Sequence, residues 1–216
     1  MIMNYSVEIN GITVNAAYSD TIVNEVFIPL LKHLAQLHHE KQRRILVMLA
    51  APPATGKTVL AQKLLEKNHY PYLSIDHLKM GLIRSGNTDL TPMDDDDTLT
   101  AYLWPIVREM IKTAVENDQN LIVEGCYIPF DWRRDFDARY LRSIRFICLC
   151  MTDAYIDAHY DEIIGHASDI EQRLDDSYCT IESLKADNHR YIDGFEKSGE
   201  KVTLIEDAYN LSGVDL

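Results

Sequence analysis

Five short apolar runs, separated by stretches of helical periodicity, constrain the fold more than any other feature of the chain. The runs are ILVMLA (45–50), YLSI (72–75), NLIVE (120–124), RFICLCM (145–151) and KVTLI (201–205). Strands that alternate with helices along a chain form βαβ units, and these units build parallel sheets with buried strands. From residue 44 onward, the sequence therefore predicts an α/β domain with five parallel strands.

The N-terminal residues follow a different pattern. VEINGITVNA (7–16) alternates apolar and polar residues around Asn10-Gly11, a dipeptide typical of two-residue hairpin turns. A helical pattern begins near residue 20, and Pro29 is expected to kink or restart that helix. The sequence therefore predicts a β-hairpin followed by a helix.

The length of the chain bears on its domain organisation. A chain of 216 residues favours one globular unit. We therefore expect residues 1–43 to pack on the domain formed by residues 44–216. The N-terminal segment carries no obvious chemistry, so packing or homodimerisation is the favoured role, with acceptor binding as the alternative.

Composition excludes several classes of partner. The chain has 21 Lys and Arg residues against 34 Asp and Glu residues, a formal net charge of -13. Such a charge repels nucleic-acid backbones and anionic membrane surfaces, so neither is expected as a partner. The first ten residues show no basic region followed by an apolar stretch, and no run of about 18 apolar residues occurs, so neither a signal peptide nor a membrane span is expected. The four cysteines lack C-x-x-C spacing, which favours reduced, mostly buried thiols and a cytoplasmic location.

The first apolar run leads directly into APPATGKT (51–58), and a helical pattern follows. Phosphate binding at a helix N-terminus requires backbone N–H donors around the phosphates, a lysine on the β- and γ-phosphate oxygens and a hydroxyl for Mg²⁺. The GKT sequence supplies the last two groups. The residues predicted to bind the nucleotide are Ala54, Thr55, Gly56, Lys57 and Thr58.

One position departs from the usual phosphate-loop motif, G-x-x-x-x-G-K-[ST]. Ala51 stands where the first glycine is usual, and two prolines without N–H groups follow it. The donors from residue 54 to residue 58 remain, so a working phosphate loop is favoured over a merely structural turn.

Polar residues at the carboxyl ends of parallel strands are candidate ligand contacts. Asp76 ends the second run and is the candidate general base for an attacking hydroxyl, or else the N-cap of the next helix. Lys79, one turn later, is expected to face the same acceptor. Glu124 ends the third run and is expected to hold Mg²⁺ through water or to contact the acceptor, the alternative being a solvated strand end.

Three further segments carry charged residues. Trp132, Arg133 and Arg134 suit an anionic acceptor, or else form a solvated helix. A capping box at residues 168–171 begins a short helix that presents Arg173, the candidate lid cation over the transferred phosphate, although a surface ion pair would give the same pattern. The acidic run at residues 94–97 is most simply a solvated helix N-terminus, with metal binding as the alternative.

With the GKT loop, LSID and VEG in place, residues 44 to 205 resemble the P-loop kinase superfamily. The resemblance is to its zeta-toxin-like, polynucleotide-kinase-like and small-metabolite kinase branch. It implies a three-layer α/β/α sandwich around a parallel sheet of order 2-3-1-4-5. It also implies that Lys57 and Thr58 bind ATP and Mg²⁺, that Asp76 activates the acceptor and that Arg173 steadies the transferred phosphate.

The sequence therefore predicts an ATP-dependent kinase that transfers the γ-phosphate to a hydroxyl of a small-molecule acceptor, such as a nucleoside or a sugar. One alternative is a nucleotide-dependent NTPase or switch without such an acceptor. A second is a binding module without catalytic activity, for which Ala51 is the only hint.

Overall fold

The computed structural model describes residues 2–9, 12–41, 46–166 and 179–209. Two units are distinguished, residues 1–43 and residues 44–216. In the first unit, β1 (Ile2–Ile9) and β2 (Ile12–Ser19) form an antiparallel hairpin in which Ile9 pairs with Ile12. The predicted hairpin is confirmed, although its turn, Asn10-Gly11, lies outside the described residues.

The helical segment of the first unit has three parts: α1 (Asp20–Ile22), a π-helical stretch (Val23–Phe27) and α2 (Ile28–Lys41). The α-helical pattern resumes next to Pro29, as expected for a residue that restarts a helix. Several apolar side chains of this segment are exposed: Ile22, Val26, Phe27, Ile28, Leu30, Leu31 and Leu34.

The second unit contains the predicted parallel sheet. Its strands are β3 (Leu46–Ala50), β4 (Tyr72–Ser74), β5 (Leu121–Gly125), β6 (Ile144–Met151) and β7 (Val202–Ile205). They are all parallel and lie in the order β4-β5-β3-β6-β7. Counted within the sheet this is the order 2-3-1-4-5, so the predicted fold class is confirmed.

The helices of this unit are α3 (Lys57–Asn68), α4 (Ile75–Arg84), α5 (Asp96–Glu116), α6 (Ala138–Leu141), α7 (Asp153–Gly165) and α8 (Ile181–Lys197), with a 3₁₀ turn at Trp132–Asp135. Alternate residues of β3 point to opposite faces of the sheet. Met48 packs with residues of α5 and the end of α8, whereas Val47 and Leu49 pack with residues of α3 and α7. The sheet therefore has a hydrophobic core on each face.

The apolar spacing of α5 predicts that Leu99, Leu103, Ile106, Met110 and Ile111 face inward. Leu99, Leu103 and Ile111 are buried as expected, but Ile106 is only half-buried, Met110 is exposed, and Val107 is buried. Val107 lies one turn from both Leu103 and Ile111, so these residues form one stripe at helical spacing. Met110 lies beside that stripe, where the sheet does not cover it.

Candidate phosphoryl-transfer site

The loop between β3 and α3 has the backbone geometry of an anion-binding nest. Ala54 has φ 61° and Gly56 has φ 80°, whereas the intervening Thr55 has negative φ. Successive residues with φ of alternating sign turn their N–H groups into one concavity, which suits a phosphate group. α3 begins directly afterwards at Lys57, so the positive end of the helix adds to this site.

The loop side chains differ in their exposure. Thr55 and Lys57 are buried, with only 6% of Lys57 exposed, whereas Thr58 is half-buried. A buried ammonium group beside a nest of N–H groups fits an anionic ligand, since burial of a charge is costly unless an opposite charge compensates it. Ala51, at the position of the usual first glycine, is fully buried with the residues packed on α3.

Tyr209, four residues beyond β7, contacts this loop from the far end of the chain. Its hydroxyl donates to the carbonyl oxygen of Gly56 at 2.9 Å. A Cβ atom at Gly56 would lie 2.1 Å from that hydroxyl oxygen. Two features therefore require glycine at position 56: the positive φ of the backbone and the close approach of the Tyr209 side chain.

Asp76 lies in the first turn of α4, one residue after its N-terminal Ile75. Ser74 occupies the N-cap position, so the alternative interpretation of Asp76 as an N-cap is wrong. The ammonium group of Lys79 donates to Asp76 Oδ1 at 2.7 Å and to the hydroxyl oxygen of Tyr127 at 2.7 Å. Lys79 therefore fixes the orientation of the Asp76 carboxylate.

Glu124 lies in β5, where it pairs in register with Leu49 of the adjacent β3 and with Ser74 of β4. Its side chain is fully buried, so the alternative of a solvated strand end is wrong. A buried carboxylate one strand away from the phosphate loop is a chemically suitable group for holding a hydrated cation.

Cys126 shows that these side chains converge. Burial of its sulfur is the main cause that raises the pKa of Cys126 to about 11. The Lys57 ammonium opposes this increase, and the carboxylates of Asp76, Asp96 and Glu124 add to it. The side chains of Lys57, Asp76, Asp96 and Glu124 therefore all lie within electrostatic range of the Cys126 thiol.

A cavity of about 730 Å³ opens beside Cys126, between α5, the loop after β5 and α8. Its volume is in the range of small-molecule sites. The hydroxyl of Tyr191 donates to the carbonyl oxygen of Cys126 at 2.5 Å and so attaches α8 to the cavity wall. Asp96 also lines the cavity and interacts electrostatically with Asp76 and Lys79. Lys79, the partner of Asp76, bonds to Tyr127 between the lining residues Cys126 and Ile128, so the cavity lies close to the candidate general base.

The acidic run is divided between two roles. Asp95 is the N-cap of α5 and accepts from the Thr98 N–H at 2.9 Å, which confirms the predicted helix N-terminus. Asp96 and Asp97, in the first turn, line the cavity instead. Burial is the main cause that raises the pKa of Asp96, and the nearby Arg190 opposes it.

The segment after β5 agrees with the solvated-helix interpretation at Arg133 and Arg134, whose side chains are exposed, but not at Trp132. Trp132 is fully buried and stacks on Phe146 with ring centroids 5.4 Å apart, so it offers no aromatic face to a ligand. Arg133 pairs with Glu200, with 3.1 Å between Nη2 and Oε2, and lies over the Trp132 ring. The neighbouring Arg134 lines the cavity. Arg173 lies outside the described residues, and its role as a lid cation stays a prediction.

Four residues of the site were not predicted from sequence: Asp96 as a cavity residue, Tyr127, Arg190 and Tyr209. Tyr127 lies three residues after the strand-end Glu124 and Asp96 lies in the acidic run, so proximity to a motif was an available signal for both. No local pattern marks Arg190 or Tyr209, because each reaches the site from a distant part of the chain.

No protein-family model matches the chain. The uncharacterised protein YggC of Escherichia coli (strain K12) is 41% identical over 59 residues, which is 27% of this chain and 25% of YggC. The match therefore spans a quarter of that relative's length.

Two solved structures are similar to this chain in fold. A gluconokinase from Sinorhizobium meliloti 1021 is 13% identical with a TM-score of 0.47, and the match covers 79% of this chain and 87% of the other. A shikimate kinase from Bacteroides thetaiotaomicron is 11% identical with a TM-score of 0.44, covering 75% and 86%. At these identities and TM-scores the likeness concerns the general architecture.

The sheet order and the GKT loop between the central strand and α3 give this protein the P-loop kinase fold. The identity of a substrate does not follow from the fold. Among the described residues, no helix has the length and apolar character needed to span a bilayer.

Proposed function

We propose that the protein is an ATP-dependent phosphotransferase that transfers the γ-phosphoryl group to a hydroxyl of a small-molecule acceptor. The observation that carries this proposal is the position of Asp76. The side chain of its neighbour Ile75 lies against Gly125, which pairs in register with Ala50 just before the phosphate loop. Its partner Lys79 bonds to Tyr127, which lies between the cavity residues Cys126 and Ile128. The phosphate loop and a cavity of small-molecule size therefore both lie close to this carboxylate.

The loop residues have the roles of donor-phosphate binding. The Lys57 ammonium and the N–H groups from residue 54 to residue 58 would bind the phosphates of ATP. Thr58 and Glu124 would hold Mg²⁺, which would supply charge neutralisation on those phosphates. These side chains fit such a ligand because the loop forms a nest and the Lys57 ammonium is buried beside it.

Asp76 would act on the acceptor. An acceptor hydroxyl oxygen forms a bond to the γ-phosphorus while the bond from that phosphorus to the β,γ-bridging oxygen breaks, and ADP leaves. The hydroxyl proton passes to the Asp76 carboxylate. Lys79 acts as a positioning residue, since its ammonium group contacts both Asp76 and Tyr127 at 2.7 Å.

Asp76→Asn tests the proposal, because it keeps the shape of the side chain and removes the proton acceptor. The assay measures transfer of radioactive phosphate from [γ-³²P]ATP to fractionated small molecules from a bacterial extract. We expect transfer to fall by about 10²- to 10⁴-fold, the usual contribution of a positioned general base, with ATP affinity retained.

Asp89→Asn is the matched control, because it makes the same chemical change in the exposed loop after α4. It is expected to transfer phosphate at the parent rate. Hydrolysis of ATP without transfer to any extract fraction would contradict the proposal and would favour the NTPase alternative. Transfer by Asp76→Asn at the parent rate would remove Asp76 from the mechanism.

A further inference from the structure

The walls of the cavity are rich in charged groups, yet the two signs balance. The carboxylates that line it are Asp96, Asp97, Asp131 and Asp135, and the cations that line it are Arg108, Arg134, Arg190 and Lys197. The formal charge of the lining is therefore zero, in a chain whose own net charge is -13.

Each cation of the cavity is already paired with a carboxylate. Arg190 Nη2 lies 2.5 Å from Asp97 Oδ1, and Arg190 Nη1 lies 3.7 Å from Asp96 Oδ2. Arg134 Nη1 lies 2.5 Å from Asp131 Oδ2. The same holds for the other two cations, whose partners are Glu109 at 2.8 Å for Arg108 and Asp193 at 3.2 Å for Lys197.

This pairing disfavours an acceptor that carries a net charge. An anionic acceptor would have to replace a carboxylate such as Asp97 at Arg190, at the cost of an exposed ion pair, which is small for one pair and larger when several pairs of the lining are broken. The acidic chain also repels anions at long range. A cationic acceptor would meet the corresponding cost at the arginines.

An uncharged hydroxyl-rich molecule incurs neither cost. Each hydroxyl has one donor and can also accept, so it can donate to a carboxylate and accept from a guanidinium without separating the pair. The presence of several Asp–Arg pairs around one cavity suits several hydroxyl groups at once. Apolar surface from Trp104, Phe130 and Tyr191 completes the lining and suits the C–H faces of such a molecule.

The aromatic side chains of the cavity do not form a slot for a flat base. The rings of Phe130 and Tyr191 stand at 90° to each other, with centroids 5.9 Å apart. Trp104 packs edge-to-face with Phe136 at 79° and donates from Nε1 to Asp135 Oδ2 at 2.7 Å. Two parallel rings, which would sandwich a nucleobase, are absent from these described contacts.

We infer that the phosphoryl acceptor is an uncharged polyhydroxylated molecule, of the class of free sugars and polyols, bound in this charge-balanced cavity. The inference rests on the proposed phosphotransferase function, which it deepens by naming the class of acceptor. Asp76, whose partner Lys79 bonds to Tyr127 beside the lining residue Cys126, would receive the proton of the hydroxyl that is phosphorylated.

The experiment divides a bacterial small-molecule extract into neutral, anionic and cationic fractions by ion exchange. Each fraction is incubated with the full-length protein, Mg²⁺ and [γ-³²P]ATP, and labelled products are identified by mass spectrometry. We expect label in the neutral fraction, on sugar or polyol phosphates, at least about 10-fold above the other fractions. The same reactions with Lys57→Ala give the background.

The outcomes separate this inference from the proposed function. Label mainly in the anionic or cationic fraction, or on nucleosides within the neutral fraction, overturns the inference and leaves the phosphotransferase proposal standing. Absence of label in all three fractions, with ATP hydrolysis that depends on Lys57, overturns the proposed function and the inference with it.

A change of charge within the cavity gives a second test. Asp97→Asn removes one negative charge from an exposed side chain beside Arg190, so the fold is expected to persist. We expect the ratio of transfer to anionic over neutral acceptors to rise by about 2- to 5-fold, the range of one exposed ion pair. Free hexoses and the corresponding aldonic acids are the matched probes.

Asp157→Asn is the control for this change. It also removes an exposed carboxylate from an ion pair, with Lys185 at 2.6 Å, but it lies outside the cavity lining. It is expected to leave the ratio unchanged. An equal rise in both variants would show that the net charge of the protein, and not the cavity, sets the preference, and it would overturn the inference.

Discussion

The phosphate loop follows the carboxyl end of β3 and the cavity lies beside the carboxyl end of β5, but the two are built in different ways. The loop is one continuous segment between β3 and α3, and its chemistry follows from eight consecutive residues. The cavity is assembled from α5, the loop after β5 and α8, and its Asp97–Arg190 pair joins residues 93 positions apart. The proposed donor site is therefore locally encoded, whereas the proposed acceptor site depends on tertiary contacts.

The largest effect should come from the loop. Lys57→Ala removes a buried ammonium group that would contact the donor phosphates, so turnover should fall at least about 10²-fold, as for other groups that stabilise developing charge. Calorimetric titration with Mg-ATP measures the ATP affinity, which should also fall, and a phosphotransfer assay measures turnover. Lys67→Ala, an exposed lysine in the last turn of α3, is the control. Unchanged ATP affinity in Lys57→Ala would show that the loop does not bind the nucleotide.

A pair of glycine substitutions tests whether the loop depends on anything outside its own segment. Gly56→Ala and Gly86→Ala both place a side chain at positive φ, but only the first meets Tyr209. We expect Gly86→Ala to lower the free energy of unfolding by about 1 kcal/mol and Gly56→Ala by roughly 2 to 4 kcal/mol. Urea unfolding measures both.

The Tyr209 contact itself is tested in the double variant. Tyr209→Ala should restore part of the stability that Gly56→Ala loses, because it removes the atoms that the new Cβ meets. Equal losses of unfolding free energy in Gly56→Ala and Gly86→Ala would show that only the backbone conformation matters and that Tyr209 does not constrain the loop.

A second glycine pair tests the cavity wall. A Cβ at Gly194 would lie 2.6 Å from Phe130 Cδ2, whereas a Cβ at Gly165 meets nothing within 4 Å. Gly194→Ala should therefore destabilise by about 1 to 3 kcal/mol and raise the KM for the acceptor more than that for ATP. Gly165→Ala should stabilise by up to about 1 kcal/mol through helix propensity. A rise in both KM values for Gly194→Ala would show that the cavity and the loop are coupled.

The smallest effect concerns the pH dependence of Asp96. Burial raises its pKa, so its contribution to stability is present when it is protonated and is lost as pH rises through the raised value. Asp96→Asn should therefore be slightly more stable than the parent at pH 7, by about 0.5 kcal/mol or less because the side chain is 44% exposed.

Thermal unfolding at several pH values measures this difference. At pH 3, below the ordinary pKa of an aspartate, Asp96 is protonated in both the folded and the unfolded chain, and the difference should vanish. A less stable Asp96→Asn at pH 7 would show that the attraction of Arg190 outweighs burial at this position.

Several details of the fold were not predictable from local patterns. Met110 was expected to be buried because it falls near the apolar stripe of α5, but which side of a stripe the sheet covers depends on how the helix is rotated against it. Trp132 was expected either to face a ligand or to lie on a solvated helix, and it instead fills the core against Phe146, a strand residue 14 positions later. Both errors concern which face a neighbouring element covers.

The sequence by itself determined the five strands, the N-terminal hairpin and the place of the phosphate loop. The physical reason is that strand and helix periodicities and the GKT motif are properties of consecutive residues. The order of the strands was implied by the resemblance to P-loop kinases and was confirmed by the pairing of β3 with β5 and β6.

Only the tertiary structure decided which charges meet. In the folded protein Arg190 pairs with Asp97, and the Tyr191 hydroxyl donates to the carbonyl oxygen of Cys126. The Tyr209 hydroxyl donates to the carbonyl oxygen of Gly56, and the Lys79 ammonium donates to both Asp76 and Tyr127. Apart from the Asp76–Lys79 pair, which spans one helical turn, these contacts join segments that are far apart in the chain, and their geometry follows from how helices pack on the twisted sheet. A sequence specifies such contacts only through the whole fold, because no local pattern records which distant side chain will lie opposite.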